Sequence, residues 1–149
     1  MRHRRQDKKQ KGSILVEFAV GATVIVTLFA GIFQFGWSLL IYNNLMTSVT
    51  NAAIIAAQRD YNLSDTAGFQ TDIKNMVVYG DLITGGVKVA PDISTSNVSV
   101  AVNTNGGYPQ FVTVSVNGYQ IKTLFANFTL SDKPRVTVPF AGRVLCSAC

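Results

Sequence analysis

The first third of the chain is dominated by one long run of apolar residues. No acidic, basic or histidine residue occurs between Phe18 and Gln58, and residues 18–41 are interrupted by only four uncharged polar side chains, Thr23, Thr27, Gln34 and Ser38. About 20 consecutive apolar residues allow a helix to cross the roughly 30 Å hydrocarbon core of a bilayer. The pattern therefore predicts a membrane-spanning helix over residues 14–41.

Helical periodicity continues beyond this run. Apolar residues recur at the three-and-four spacing of one helical face, namely Leu45, Val49, Ala52, Ala53 and Ala56. The polar side chains between them are Asn43, Asn44, Thr47, Ser48, Thr50 and Asn51. A helix from residue 14 to residue 59 would be about 69 Å long, roughly twice a bilayer core. We therefore expect its second half to leave the lipid and pack on a domain of the same chain or on neighbouring copies.

The second half of the chain shows the two-residue alternation of β-strands. Residues 98–102 and 112–116 alternate between valine and small or polar residues around an Asn/Gly-rich loop, which predicts an antiparallel pair. Shorter candidate strands cover residues 86–90, 119–124 and 135–139. A helix is expected over residues 64–84, with one side formed by Phe69, Ile73, Met76, Val77 and Gly80. The predicted fold is α+β, a long N-terminal membrane-spanning α-helix packed on a small antiparallel β-sheet domain.

The positive charge of the chain is confined to its first dozen residues. The net charge is +5, but residues 1–12 hold six basic residues and one acid, whereas residues 13–149 hold seven of each. This distribution argues against a folded nucleic-acid-binding surface, which needs clustered basic residues, so no nucleic-acid partner is expected. The positive-inside bias predicts a cytoplasmic N-terminus and an exterior C-terminal domain. A secretory signal peptide is disfavoured because its apolar region spans only about 7–15 residues.

The residue inventory disfavours an enzyme. His3 is the only histidine and lies in the basic N-terminal segment, so a histidine-based catalytic set has no base in the folded part, and a zinc site with histidine ligands is excluded there. The acidic residues are scattered, and the sequence has no phosphate-binding or nucleophile motif. We therefore expect no catalytic residues, no metal and no cofactor.

Glu17 is the one charge at the edge of the apolar run. A charged side chain at the centre of a bilayer costs about 2.5–3.5 kcal/mol on insertion scales, so such a residue usually has a partner. Two interpretations follow from its position. Either Glu17 contacts a specific group, or it marks the membrane interface, where it stays hydrated.

The neighbourhood of Glu17 resembles the prepilin signature of type IV filament systems. A basic leader ends in Gly12, four residues beginning with Ser13 follow, and then come Glu17 and the aromatic Phe18. The resemblance implies cleavage by a prepilin peptidase between Gly12 and Ser13. It also implies that Glu17 and Phe18 act in assembly, with Glu17 neutralising the new Ser13 ammonium group of a neighbouring subunit. Residues four apart share one helical face, which suits such a contact.

Three segments together resemble the TadE-like pseudopilins of tight-adherence (Tad) pili. These are residues 12–20, the aromatic-rich residues 33–37 and the Ala-rich residues 51–59. The resemblance implies a cleaved leader (1–12), a long helix (13–60) and an extracytoplasmic pilin-like domain (61–149). It further implies a subunit that resides in the bacterial inner membrane and then joins copies of itself or other pilin subunits in a surface filament for adhesion or secretion. Two alternatives are an unprocessed single-pass membrane protein with an exterior binding domain and a type II secretion pseudopilin.

Two cysteines, Cys146 and Cys149, end the chain. In an oxidising exterior compartment, two cysteines at this spacing favour an intrachain disulfide between Cys146 and Cys149. A redox pair, half of a metal site and a covalent link between subunits are the other interpretations of the spacing.

Overall fold

A computed structural model gives the fold over residues 6–83, 85–123 and 126–145, with side chains described from Gly12 onward. These ranges contain two α-helices, α1 (Gln6–Gln58) and α2 (Thr66–Tyr79), and one short 3₁₀ helix, Thr95–Asn97. The strands are β1 (Tyr61–Asn62), β2 (Val98–Asn105), β3 (Tyr108–Val116), β4 (Tyr119–Lys122), β5 (Asn127–Leu130), β6 (Arg135–Pro139) and β7 (Val144–Leu145). The chain divides into a first unit that ends at Trp37 and a second that begins at Ser38. The predicted α+β class with a long apolar N-terminal helix is confirmed.

The first unit consists of the N-terminal part of α1, whose apolar side chains are exposed. Phe18 is 74% exposed and Phe35 is 72% exposed. The hydroxyls of Thr23 and Thr27 each donate a 2.8 Å hydrogen bond to the carbonyl four residues earlier, so both find acceptors within the helix. By length and composition, α1 is capable of crossing a membrane.

The second half of α1 supplies one wall of the core of the second unit. Leu45, Val49, Ala52, Ala53 and Ala56 are all fully buried, and they belong to one cluster with residues of α2 and of the sheet. The expected apolar stripe is therefore confirmed, and it packs on the domain of the same chain. Ser48, expected on the polar face, is instead buried because its hydroxyl donates a 2.7 Å hydrogen bond to the carbonyl of Val77.

The ends of α2 are set by two capping residues. The carboxylate of Asp65 accepts a 2.8 Å hydrogen bond from the backbone N–H of Gly68, which satisfies a donor in the first turn. Gly80 adopts a left-handed conformation (φ 70°), and its N–H donates to the carbonyl of Met76. These caps make α2 shorter than the predicted span of 64–84. Phe69, Ile73 and Val77 are buried, as its periodicity predicted.

Strands β2, β3 and β6 form a three-stranded antiparallel sheet in that order. Its register pairs Val98 with Val116 and Thr113 with Thr137, so alternate valines of β2 and β3 point into the core. The buried members of this set are Val98, Val100, Val112, Val114 and Val116. The predicted antiparallel pair and the strand at 135–139 are therefore confirmed. Strands β4 and β5 form a separate antiparallel pair, and β1 and β7 pair in parallel.

The strand expected over residues 86–90 does not form. The described residues from Asp81 to Ala90 are bends, turns and irregular backbone. The N–H of Val89 donates to the carbonyl of Val78, at the end of α2, instead of to a neighbouring strand. Val87 is 91% exposed. None of the strands in the described ranges pairs with this segment, so its short alternating pattern does not form a β-ladder.

The segment before the C-terminus covers the end of α1. The N–H of Ala141 donates a 2.7 Å hydrogen bond to the carbonyl of Ala57, in the last turn of the helix, where carbonyls lack helical partners. The N–H of Tyr61 donates to the carbonyl of Arg143 at 2.7 Å. A Cβ atom at Gly142 would overlap the carbonyl of Arg59, so only glycine fits at this position. The segment therefore holds the end of α1 within the second unit. Cys146 and Cys149 lie outside the described residues.

Candidate processing and assembly segment

The four residues of the predicted processing and assembly site all lie on α1. Gly12, Ser13, Glu17 and Phe18 are exposed and belong to continuous helix. Because Ser13 and Glu17 are four residues apart in this helix, they share one face. The structure thus places the hydroxyl-bearing residue after the expected cleavage site and the carboxylate next to each other along the helix surface.

Gly12 has no packing reason to be glycine in this chain. Apart from its two neighbours in the chain and the backbone of its own helical turns, no atom of the described residues lies within 4 Å of the position that a Cβ would occupy there. A glycine inside a helix is less stable than alanine by about 1 kcal/mol because it loses more backbone freedom on folding. Gly12 therefore makes the helix locally easier to unwind next to the expected scissile bond.

The carboxylate of Glu17 is available for a contact outside the chain. Among the side chains described from Gly12 onward, none forms a hydrogen bond or an ion pair with Glu17. Phe18, the next residue, is 74% exposed. This arrangement presents an acid and an aromatic ring together on the surface of α1.

Three ion pairs are present in the described part of the second unit. Arg59 pairs with Asp72 at 2.6 Å, Lys122 with Asp92 at 2.9 Å and Arg135 with Asp132 at 2.7 Å. All three pairs are at least one-third exposed, and exposed ion pairs contribute little to stability. The three pairs involve six of the thirteen charged side chains in residues 38–149, which hold seven basic and six acidic residues.

Two of these aspartates have lowered pKa values. The hydrogen bond and the positive charge of Lys122 hold the pKa of Asp92 below its usual value. The pKa of Asp132 is also lowered, first by a hydrogen bond from Ser115 and then by Arg135. Both carboxylates therefore remain ionised, and able to pair with their cations, to a lower pH than a free aspartate.

A shallow groove runs between α1 and α2 in the second unit. It has a volume of about 380 Å³, and its lining residues are Asn44, Thr47, Ser48, Asn51, Met76, Gly80 and Val89. None of these side chains titrates near neutral pH or serves as a usual catalytic base. Elsewhere in the described part of the chain, no three histidine, cysteine or acidic residues are grouped as metal ligands. The groove thus offers polar hydrogen-bonding groups without acid–base chemistry.

These features together define an α+β protein whose long apolar N-terminal helix is suited to membrane anchoring. Residues 12–57 match the family model described as TadE-like protein. The match begins at Gly12 and ends at Ala57, so it coincides with α1 from the expected processing glycine onward. No curated protein and no solved structure gives a significant match.

The chain is TadE-like over this segment, and the resemblance read from its sequence is confirmed there. TadE-like proteins are structural and pilus-associated, so the match supports a component of the Tad pilus system that interacts with other pilus components. The β-sheet domain lies beyond the matched residues.

Proposed function

We propose that this chain is a pilin-like subunit of a Tad-type filament, made as an inner-membrane precursor and cleaved between Gly12 and Ser13 by a prepilin peptidase. One observation carries the proposal. The TadE-like match begins at Gly12 and follows the exposed helix that presents Ser13, Glu17 and Phe18. The subunit then joins copies of itself or other pilin subunits, in a filament that serves adhesion or secretion.

The leader and the mature N-terminus have different roles, and cleavage divides them between Gly12 and Ser13. The leader carries the whole excess of positive charge and orients α1 with its N-terminus in the cytoplasm. Once residues 1–12 are removed, the remaining side chains carry equal numbers of positive and negative charges. The mature chain begins with the ammonium group of Ser13, one helical turn before Glu17.

In a filament, the helices of neighbouring subunits bury the apolar surface of α1 that lipid contacts in the membrane. The side chains from Ile14 to Leu40 include many large apolar groups that are about half to three-quarters exposed. Leaving such a group in water instead of burying it costs about 1.5–3 kcal/mol. A subunit therefore leaves the membrane only where neighbouring helices replace the lipid. In that bundle, Glu17 neutralises the Ser13 ammonium of the adjacent subunit, and the second unit lies on the outside.

Intact mass spectrometry after co-expression with a prepilin peptidase tests the cleavage step. We expect the mass of the chain to fall by that of residues 1–12. A Gly12→Leu variant provides the matched control, because the space around Gly12 is open and leucine favours the helix. That variant is expected to keep its fold and to remain uncleaved, since the added side chain meets only the peptidase.

Retention of residues 1–12 in the unaltered chain would contradict the proposed function and favour the unprocessed single-pass membrane protein. Equal cleavage of the Gly12→Leu variant would show that Gly12 is not the recognised residue. Circular dichroism of both proteins confirms that any difference in cleavage does not come from a loss of helix.

A further inference from the structure

Two asparagine–glycine pairs lie in the second unit, Asn105–Gly106 and Asn117–Gly118. The side chain of an asparagine in such a pair can react with the backbone nitrogen of the following glycine, because glycine has no side chain to hinder the approach. Both asparagines are exposed. Apart from neighbours in the chain, no atom of the described residues lies within 4 Å of a Cβ placed at either glycine. The two pairs therefore match in local sequence and in the open space around them.

The backbone of the Asn117–Gly118 pair is held by hydrogen bonds on both sides. The N–H of Asn117 donates to the carbonyl of Asn97 at 2.7 Å, and the carbonyl of Asn117 accepts a longer bond of 3.4 Å from Nδ2 of Asn97. The N–H of Gly118 donates to the carbonyl of Leu130 at 2.8 Å. The nitrogen that would have to attack is thus occupied, and the peptide between the two residues cannot rotate without breaking these bonds.

The Asn105–Gly106 pair lies at the tip of the hairpin formed by β2 and β3. Asn105 ends β2, and Gly106 and Gly107 form the turn with positive φ angles of 60° and 86°, as in a type I′ turn. Within the described residues, neither the N–H of Gly106 nor the side chain of Asn105 forms a hydrogen bond. The nitrogen of Gly106 is therefore able to approach the side chain of Asn105 without first breaking a hydrogen bond of its own.

We propose that Asn105 is a site of spontaneous deamidation, whereas Asn117 is protected by the fold. The backbone nitrogen of Gly106 attacks Cγ of Asn105, the Cγ–Nδ2 bond breaks, and ammonia leaves with the proton of the former N–H. Water then opens the resulting five-membered succinimide at one of its two carbonyls. The product is aspartate or isoaspartate at position 105. Either product adds one negative charge to residues 13–149, whose side-chain charges otherwise balance.

The modification does not depend on the proposed function, because the reaction needs only the hairpin and water. Asn105 lies beyond residues 12–57, which match the TadE-like family model, so neither cleavage nor filament assembly enters the argument. The conversion accumulates with time and is not reversed by the protein itself. The charge at the tip of the hairpin therefore reports the age of the folded chain.

Incubation of the full-length chain in detergent micelles at mildly alkaline pH, followed by tryptic digestion and tandem mass spectrometry, tests the site. Cleavage after Lys88 and Lys122 releases one peptide, residues 89–122, that contains both asparagine–glycine pairs. The two conversions are therefore measured in the same molecules and with the same recovery. We expect conversion at Asn105 to be about 5- to 30-fold faster than at Asn117, the factor that corresponds to the ~1–2 kcal/mol needed to release a hydrogen-bonded backbone.

Two controls assign the difference to the fold. In guanidinium chloride the backbone hydrogen bonds of both pairs are lost, so the two rates should become similar. An Asn105→Gln variant keeps the amide but would have to form a six-membered ring, so conversion at this position should cease. Similar rates at Asn105 and Asn117 in the folded chain, or the same ratio of rates in the folded and unfolded chains, would overturn the proposal. So would an Asn105 that stays intact in the folded chain while it reacts in guanidinium chloride.

Discussion

A Leu45→Ala variant is expected to destabilise the second unit by about 2–5 kcal/mol, the usual cost of removing a buried leucine side chain. Leu45 is fully buried in the core formed by α1, α2 and the sheet. The substitution removes the isopropyl end of the side chain and leaves a cavity in the core. The full chain in detergent micelles can be titrated with guanidinium chloride while the near-ultraviolet circular dichroism of its aromatic residues is followed.

The adjacent residue provides a matched control for this core variant. Met46 is 41% exposed and points away from the buried stripe. A Met46→Ala variant retains the helix and should change the free energy of unfolding by far less than Leu45→Ala. If the two variants were equally stable, the second half of α1 would not be part of the core.

A Glu17→Leu variant is expected to be cleaved normally but to be lost from filaments. Its fold should be unchanged, because Glu17 is exposed and, among the side chains that the structure describes, has no partner. In the assembled helix bundle, leucine would leave the Ser13 ammonium of the neighbour without a counter-charge. An unpaired buried ion costs several kcal/mol, which is enough to prevent incorporation. The amount of subunit in sheared surface filaments measures the effect.

Two controls separate charge from shape at this position. Glu17→Gln keeps the shape and hydrogen-bonding ability of the side chain but removes its charge, so it should also reduce incorporation. Glu17→Asp keeps the charge and should retain part of it. Normal assembly of Glu17→Leu subunits would contradict the assigned contact and favour the interpretation that Glu17 only marks the membrane interface.

The strongly periodic elements could be predicted from sequence because their signals are local. The long uncharged apolar run and the spacing of Leu45, Val49 and Ala52 indicate a long helix with a buried second half. The alternating valines of β2 and β3 flank a loop containing two glycines, which identifies an antiparallel pair. In each case, residues close in sequence carry the information.

The remaining features depend on contacts between distant parts of the chain. The parallel pairing of β1 with β7 joins Tyr61 to Val144. The close approach of Gly142 to the carbonyl of Arg59 is equally non-local. Ser48 is buried because of an acceptor on α2, Val77. Residues 86–90 have the local pattern of a strand, but tertiary structure provides no partner for it.

The residues of the candidate site could be predicted from the sequence because they lie close together along the chain. Gly12, Ser13, Glu17 and Phe18 follow one another along a single helix, so their spacing already fixes which of them share a face. What the sequence does not provide is the open surroundings of Gly12 and the exposure of Glu17, which depend on where the rest of the chain packs. Because of these two observations, substitutions of Gly12 and Glu17 are expected to change processing or assembly without changing the fold.

The most direct test of the central claim is the intact mass of this subunit in filaments sheared from the cell surface and purified. The account predicts a chain that begins at Ser13, with residues 1–12 absent, and with Glu17 as its fifth residue. Recovery of the chain only from the membrane fraction, with Met1 to Gly12 still attached, would contradict it.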